Sequence, residues 1–350
     1  MVYGSAAAGP PVRDNGIRVL VVDDSAVARA VIGRMIDAMA DYQVVASVSD
    51  VPAALRFLAK AQADVILLDL EMPGIHGLVA LPDLLTAGRG AKVLVVSSAA
   101  EDGAAAAVQA LALGAADTLV KPGVGSFAGR FATVLEDRMQ RLFDSAALPE
   151  PARRSTAQVP GAFDIVAVGA STGGIYALSQ MLRAIPAEFQ PPILVTQHLP
   201  ASFMNYFAMQ LAVLAGRPCE VAEDHIRIRP GRIYVAPGHA HMRCVRTCDA
   251  AAIRLSNEQV ASGCTPSVDP MLESVAAVYG ARGLGVVLSG MGRDGADGAA
   301  RLMDAGGSII VQDKASSVVW GMPGAIADRA AAVLPPGEIG SMIARGRRPI

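Results

Sequence analysis

The amino-acid sequence predicts an α/β protein made of two doubly wound domains in tandem, each with a mostly parallel sheet. Three observations carry this reading. Short apolar, β-branched runs alternate with helical periodicity through both halves of the chain. The alternation fails once, between Asp144 and Ala162, where Pro149, Pro151 and Pro160 interrupt it. Acidic residues in the first half, and glycine turns in the second, follow the carboxyl ends of the runs, where open α/β sheets collect their ligands.

In chain order, residues 1–15 come first; they lack the basic start and apolar run of a secretory signal and read as a disordered leader. Strands are expected at Ile17–Val22, Gln43–Val48, Asp64–Leu68, Lys92–Val96 and Ala116–Val120. Helical patterns fill the intervals at Ser25–Met39, Val51–Ala61, Leu78–Ala87, Ala104–Leu113 and Ser126–Phe143. These elements form a first domain over residues 16–143, and residues 144–162 read as a linker. A second domain, residues 163–345, opens with strands Asp164–Val168 and Pro192–Thr196 and helices Gly174–Ala184 and Ser202–Ala215. Shorter strands are expected at Cys219–Ala222, Gly231–Val235, His241–Arg246 and Ala252–Leu255. Helix Val268–Tyr279, strand Gly283–Leu288, helix Gly295–Ala305, strand Gly307–Val311 and a final helix from about Gly324 complete it.

Composition narrows the function. The chain has 350 residues, 52% hydrophobic and only 4% aromatic, so two cores must be built from Ala, Val, Leu, Ile and Met. A net charge of -2 argues against a general electrostatic grip on nucleic acid or on an anionic membrane. No run reaches the roughly 18–20 apolar residues that span a bilayer. The most tempting one, Ala104–Val120, is broken by Gln109, Gly114 and Asp117, so no membrane insertion and a cytoplasmic location are expected. Four cysteines make no disulfide framework and read as reduced thiols.

In the first domain the strand ends carry Asp23 and Asp24, then Asp69, then Ser97 and Ser98, then Lys121 before Pro122. Three carboxylates at one edge repel one another unless a cation joins them, and Mg²⁺ suits oxygen ligands. Asp69 can then serve as a carboxylate nucleophile, with Lys121 and the Ser97 hydroxyl holding phosphoryl oxygens. VVDDSAVAR, LLDLEMPGIHG, VVSSA and DTLVKP resemble the hallmarks of two-component response-regulator receiver domains, over about residues 16–140. The resemblance implies a flavodoxin-like fold and phosphorylation of Asp69 by a histidine kinase. It also implies Mg²⁺ held with the help of Asp23 and Asp24, and a cis peptide before Pro122.

In the second domain the first strand runs into Gly169-Ala170-Ser171-Thr172-Gly173-Gly174 and a helix, a G-x-S-x-G turn that exposes Ser171 as a nucleophile. A nucleotide-binding turn is the rival, but G-x-G-x-x-G spacing is absent and no lysine follows. The Thr172 N–H is the natural first oxyanion donor, and the Met291 N–H is a plausible second. For the base, His198 follows the neighbouring strand at the same sheet edge, with His239 in reserve. For the acid, Asp294 follows strand Gly283–Leu288, with Asp297 in reserve. A zinc set of His239, His241, Cys244 and Cys248 matches no usual ligand spacing.

GASTGG, TQHLPASF, IYVAPGHAHM, TPSVDPMLESVA and SGMGRDGA resemble the catalytic domain of the chemotaxis protein-glutamate methylesterases, the CheB family. The resemblance assigns nucleophile, base and acid to Ser171, His198 and Asp294. It implies a serine hydrolase that removes glutamyl γ-methyl esters, releasing methanol, from the cytoplasmic helices of methylated chemoreceptors. Deamidation of receptor glutamines would share the acyl intermediate, and no cofactor is implied for either hydrolysis. The receiver, when unphosphorylated, should lie over the Ser171 cleft. Two departures stand out: Arg293 occupies a position where Asn is frequent, and Cys264-Thr265 replaces a basic or polar pair before Pro266. A non-catalytic output module is the competing class of reading.

Overall fold

The computed structural model describes residues 16–97, 101–121, 128–143, 162–248 and 250–346. The leader, nearly all of the expected linker, Ser98 and the peptide before Pro122 lie outside the described residues.

The first domain has the elements β1 (Ile17–Val22), α1 (Ala26–Asp37), β2 (Tyr42–Val48), α2 (Val51–Leu58), β3 (Val65–Asp69), α3 (Gly77–Ala87), β4 (Lys92–Ser97), α4 (Glu101–Leu113), β5 (Asp117–Val120) and α5 (Ala128–Phe143). Their sheet is parallel throughout, in the order β2-β1-β3-β4-β5. The apolar runs become strands because both faces are covered; every residue of β3 is buried. Side-chain caps start the first two helices. Ser25 Oγ accepts from the Ala28 N–H at 3.2 Å, and Asp50 Oδ1 from the Ala53 N–H at 2.8 Å.

The second domain comprises β6 (Ile165–Ala170), α6 (Gly174–Arg183), β7 (Ile193–Gln197), α7 (Met204–Ala215), β8 (Cys219–Val221), β9 (Ile233–Val235), β10 (His241–Arg246), β11 (Ala251–Ser256), α8 (Val268–Tyr279), β12 (Gly283–Val287), α9 (Ala296–Asp304), β13 (Ser308–Gln312), β14 (Ala332–Leu334) and α10 (Pro336–Arg345). Seven strands form a parallel sheet ordered β14-β13-β12-β6-β7-β9-β8, while β10 and β11 make a separate antiparallel pair. The central strand β6 thus has β12 and β7 as neighbours, and the ends of all three converge on one rim.

One expectation fails. No helix starts at Gly324; residues 322–329 form consecutive turns, followed by the short strand β14, and the last helix begins at Pro336. The turn segment mixes three- and four-residue closures, such as Ile326 N–H to Pro323 O and Ala330 N–H to Ile326 O. Trp320, Met322, Ile326, Ala327 and Ala330 are all drawn into the core, which overrides their helical propensity. A three-residue strand is too short to leave a periodic signal, and Pro336 supplies the preorganised first turn of α10.

The two domains pack closely. α4 lies against α6, α7 and the 3-10 turn Ala201–Phe203, and one apolar cluster is continuous across both sheets. Directly behind Ser171, the Gly173 N–H donates to Ala116 O at 2.9 Å and Thr172 Oγ1 donates to Asp117 Oδ2 at 3.1 Å. Asp117 Oδ2 also accepts from Arg138 Nη1 at 2.6 Å. Lys92 Nζ donates to Val318 O at 3.2 Å, and burial lowers the pKa of its ammonium.

Candidate active site

Ser171 stands immediately beyond β6, where the chain turns into α6. Its N–H donates to Ser289 O at 3.0 Å, and its carbonyl accepts from Gln197 Nε2 at 2.9 Å and from the Gly174 N–H at 2.8 Å. The turn needs Gly173, which has φ +75° and whose Cβ, if present, would overlap Val318. Gly290 permits the second close approach, since a Cβ there would lie 2.8 Å from Ser171 Cβ.

His198 follows β7, and its N–H donates to Ala170 O at 3.1 Å, which sets it beside the serine on the adjacent strand. Its Nε2 lies 2.7 Å from Asp294 Oδ2. Asp294 is buried just ahead of α9 and is held by two further donors: Ser267 Oγ to Oδ1 at 2.6 Å and the Val268 N–H to Oδ2 at 2.8 Å. Val268 is the first residue of α8, so the carboxylate also faces the positive end of that helix. The arrangement explains why Ser267, at the cap position, makes no side-chain bond to its own helix.

The electrostatics follow from this wiring. Burial alone would raise the Asp294 carboxyl, but His198, Ser267 and the Val268 N–H together hold it well below the usual carboxylate range. Burial opposes the charged form of His198 as well. Its hydrogen bonds to Asp294 and Cys264 outweigh that effect and push the imidazole up to about 9.

Among the described residues, the N–H groups of Thr172 and Met291 donate to no protein acceptor; Thr172 follows Ser171, and Met291 follows Gly290, which lies against the Ser171 side chain. No hydrogen bond joins Ser171 Oγ to the imidazole within the same set. The reserve candidates do not reach the site: His239 and Asp297 are exposed, and neither bonds His198. His241 is buried in a structural role, with Nδ1 accepting from the Ser267 N–H at 2.9 Å and Nε2 lying 2.9 Å from Glu258 O. His239, His241, Cys244 and Cys248 form no metal cluster among the described residues.

Sequence reasoning missed the supporting layer: Gln197, Ser267, Ser289 and Gln312. Ser289 Oγ donates to Thr172 O at 2.8 Å and accepts from the Val319 N–H at 3.1 Å, while Gln312 Oε1 accepts from the Ser289 N–H at 2.7 Å. In the sequence Ser267 is only the residue ahead of the expected helix Val268–Tyr279, and buried glutamines at strand ends carry no pattern at all.

In the first domain Lys121 Nζ sits 2.6 Å from Asp69 Oδ2 and 3.2 Å from Asp23 Oδ2. Oxygens of Asp23, Asp24 and Asp69 all lie within 4.8 Å of one another. Burial raises the Asp69 carboxyl despite its bonds to Lys121 and the Glu71 N–H; burial opposes the Lys121 charge, yet Asp69 raises it. Among the described residues, Asp23 Oδ2 is buried with the 3.2 Å Lys121 contact as its one ion pair, and Ser97 Oγ is buried without a hydrogen-bond partner. Those two atoms fit an oxygen-ligated cation and a phosphoryl oxygen, respectively.

Two family models match the chain: CheB methylesterase over residues 166–343 and response regulator receiver domain over residues 19–125. The protein-glutamate methylesterase/protein-glutamine glutaminase 2 of Caulobacter vibrioides is 42% identical, with 95% of this chain and 100% of that one aligned. The protein-glutamate methylesterase/protein-glutamine glutaminase of Azospirillum brasilense is 37% identical, over 97% and 93%. Among solved structures, the Thermotoga maritima CheB methylesterase catalytic domain is similar with a TM-score of 0.51 at 33% identity, covering 53% of this chain and 98% of that one.

Proposed function

The chain belongs to the CheB methylesterase family, with a response-regulator receiver domain ahead of its catalytic domain, and from that premise we propose which residues carry its reaction. The protein is a serine hydrolase that removes methyl groups from protein glutamyl γ-methyl esters and deamidates glutamines, under control of receiver phosphorylation. Residues 16–143 are the receiver and 163–345 the catalytic domain.

Ser171 Oγ attacks the ester carbonyl carbon, and His198 takes the hydroxyl proton. Nε2 is committed to Asp294, so Nδ1 is the ring nitrogen left to accept it. The Thr172 and Met291 N–H groups stabilise the oxyanion. Methanol leaves with the proton from His198, and water cleaves the acyl-enzyme by the same route in reverse; ammonia replaces methanol when the substrate is a glutamine amide. No cofactor enters the hydrolysis. The observation that carries this reading is the 2.7 Å contact between His198 and the buried Asp294, at the same rim as Ser171. Methanol release from methylated receptor fragments tests it: a Ser171→Ala protein that works as fast as wild type would return the domain to a non-catalytic output role.

In the receiver, Asp69 accepts the phosphoryl group from a histidine kinase, and Lys121 and Ser97 bind its oxygens. Asp23, Asp24 and Asp69 would hold Mg²⁺, which supplies charge neutralisation for that transfer. The substrates are cytoplasmic helices of methylated chemoreceptors, which makes the enzyme cytoplasmic; among the described residues, no helix is long and apolar enough to cross a membrane. Neither nucleic acid nor membrane insertion has a part in this reading.

Control passes through the packed interface. Ala116 and Asp117 grip the two residues that follow the nucleophile, and they lie on the chain leading through β5 to Lys121. A phosphoryl group on Asp69 draws on Lys121 and biases β5, which loosens the grip on the turn and opens the cleft.

A further inference from the structure

We propose that His198, Cys264 and Asp294 form an inhibitory binding site for a soft divalent cation of the zinc class, set across the esterase centre. One ligand atom from each residue, a ring nitrogen, a sulfur and a carboxylate oxygen, lies within 4.8 Å of the other two. Imidazole, thiolate and carboxylate are the three donor types that zinc takes, whereas Mg²⁺ prefers oxygen alone. Tetrahedral zinc, with bonds of about 2.0–2.3 Å, sets its ligand atoms roughly 3.3–3.7 Å apart. His198 and Asp294 stand closer than that, at 2.7 Å, so an ion entering between them must part the pair by roughly 0.6–1.0 Å while the thiol swings inward.

The loop allows that movement. Cys264 lies between β11 and α8 and is half-buried, with exposed Gly263 and Thr265 on either side. Its Sγ contacts Ser262 O weakly at 3.7 Å and already interacts with His198, and space beside Gly263 is open. The carboxylate stays oriented by Ser267 and the Val268 N–H, the kind of outer support that metal ligands need. The remaining thiols are poor alternatives. Burial pushes those of Cys219 and Cys244 up to about 12, and Cys248 lies beyond β10, outside any cluster of ligand atoms among the described residues.

Binding is a ligand exchange without redox change. The thiol proton leaves to solvent, the imidazole keeps one proton, now on Nδ1, and the ion takes lone pairs from sulfur, Nε2 and the carboxylate oxygen. His198 then cannot accept the Ser171 proton, and a chelator restores it. The inhibition rests on the esterase reading above; the binding does not.

The test uses the full-length protein, stripped with a chelator and kept in excess Mg²⁺ so that the receiver carboxylates do not compete. Co²⁺ is titrated as an optical probe, Zn²⁺ by competition with a chromophoric chelator, and ester hydrolysis is followed in parallel. One ion per chain, a thiolate-to-cobalt charge-transfer band, and hydrolysis falling in step with occupancy are expected. Cys264→Ala and Cys264→Ser should each lose the band and weaken zinc binding by at least about tenfold, while Cys248→Ala keeps both. A band that persists without Cys264, zinc inhibition equal in wild type and Cys264→Ala, or no stoichiometric binding would overturn the site. Failure of the esterase reading is separately visible, as absent hydrolysis with the cobalt band still present.

Discussion

Replacing Asp117 by Ala is expected to raise hydrolysis by the unphosphorylated protein while changing the phosphorylated rate little. In the packed state Asp117 Oδ2 accepts the Thr172 hydroxyl at 3.1 Å in a buried interdomain bond. A hydrogen bond to a charged acceptor contributes about 1.5–3 kcal/mol, and the Thr172 hydroxyl left unpaired opposes packing in the same direction. The Arg138 contact to Asp117 lies within the receiver, persists in both states, and so cancels from the comparison. At about 1.4 kcal/mol per decade, the packed-to-open ratio should fall about 10- to 100-fold. The rate gain approaches that figure until the open form predominates, then stops at the phosphorylated rate. Initial rates of methanol release without phosphodonor measure it directly. Thr172→Val removes the same bond from the other side while keeping the Thr172 N–H, so it should mimic Asp117→Ala. The double variant should then add little to either one. Unphosphorylated rates within about twofold of wild type in both single variants would refute the coupling, because that range is the noise of additivity.

Four further outcomes follow from the same geometry. Ser171→Ala should reduce hydrolysis by at least about a thousandfold with Asp69 phosphorylation intact, as read by methanol release and by phosphoprotein gels. Ser267→Ala leaves the buried Asp294 Oδ1 without its 2.6 Å donor and should lower kcat more than it raises KM, with a stability loss of about 1–3 kcal/mol in urea denaturation. Asp69→Asn should abolish activation by a small phosphodonor with Mg²⁺ but keep the basal rate; activation that survives moves the control elsewhere. Since His198 must be neutral to act as base and is raised to about 9, kcat/KM in chelator-treated protein should climb with pH until a limb near that value. Asp294→Asn should move this limb down, and a limb left in place would detach the raised imidazole from Asp294. The sign for stability is the reverse. The raised imidazole stabilises the fold fully below its ordinary value of 6.5, and that contribution is lost as pH rises through about 9.

Much of the molecule was legible because strands and their ends announce themselves. Ile17–Val22, Lys92–Ser97 and Gly283–Val287 are apolar runs buried on both faces, and the structure keeps them within a residue of expectation. Ser171, His198 and Asp294 could be chosen because each follows a strand, and parallel strands bring their carboxyl ends to one rim. The segment after Trp320 was misread for the opposite reason. Its alanines favour helix locally, but burial of Met322, Ile326 and Ala330 decides the backbone, and burial is a property of the partner surface. Gln197, Ser267, Ser289 and Gln312 were invisible on similar grounds: each acts through hydrogen bonds to residues far away in sequence or to backbone atoms.

The two chemistries also share a mechanical logic that neither site displays alone. The proposed nucleophile Ser171 and the proposed phosphoacceptor Asp69 each sit at a strand's carboxyl end, and the interface joins the two domains through Ala116 and Gly173. The Gly173 N–H to Ala116 O bond cannot be deleted by changing a side chain, whereas the Thr172–Asp117 bond beside it can. The backbone contact therefore fixes where the domains meet, and the side-chain contact sets how firmly they stay together. Gly173 has to be glycine for the turn's positive φ and for clearance from Val318, so the same residue shapes the nucleophile's turn and carries the receiver's grip on it. Any motion of β5 that reaches Ala116 must then be felt next to Thr172, the proposed oxyanion donor, which is why loosening this contact should change the hydrolytic rate as well as access to the cleft.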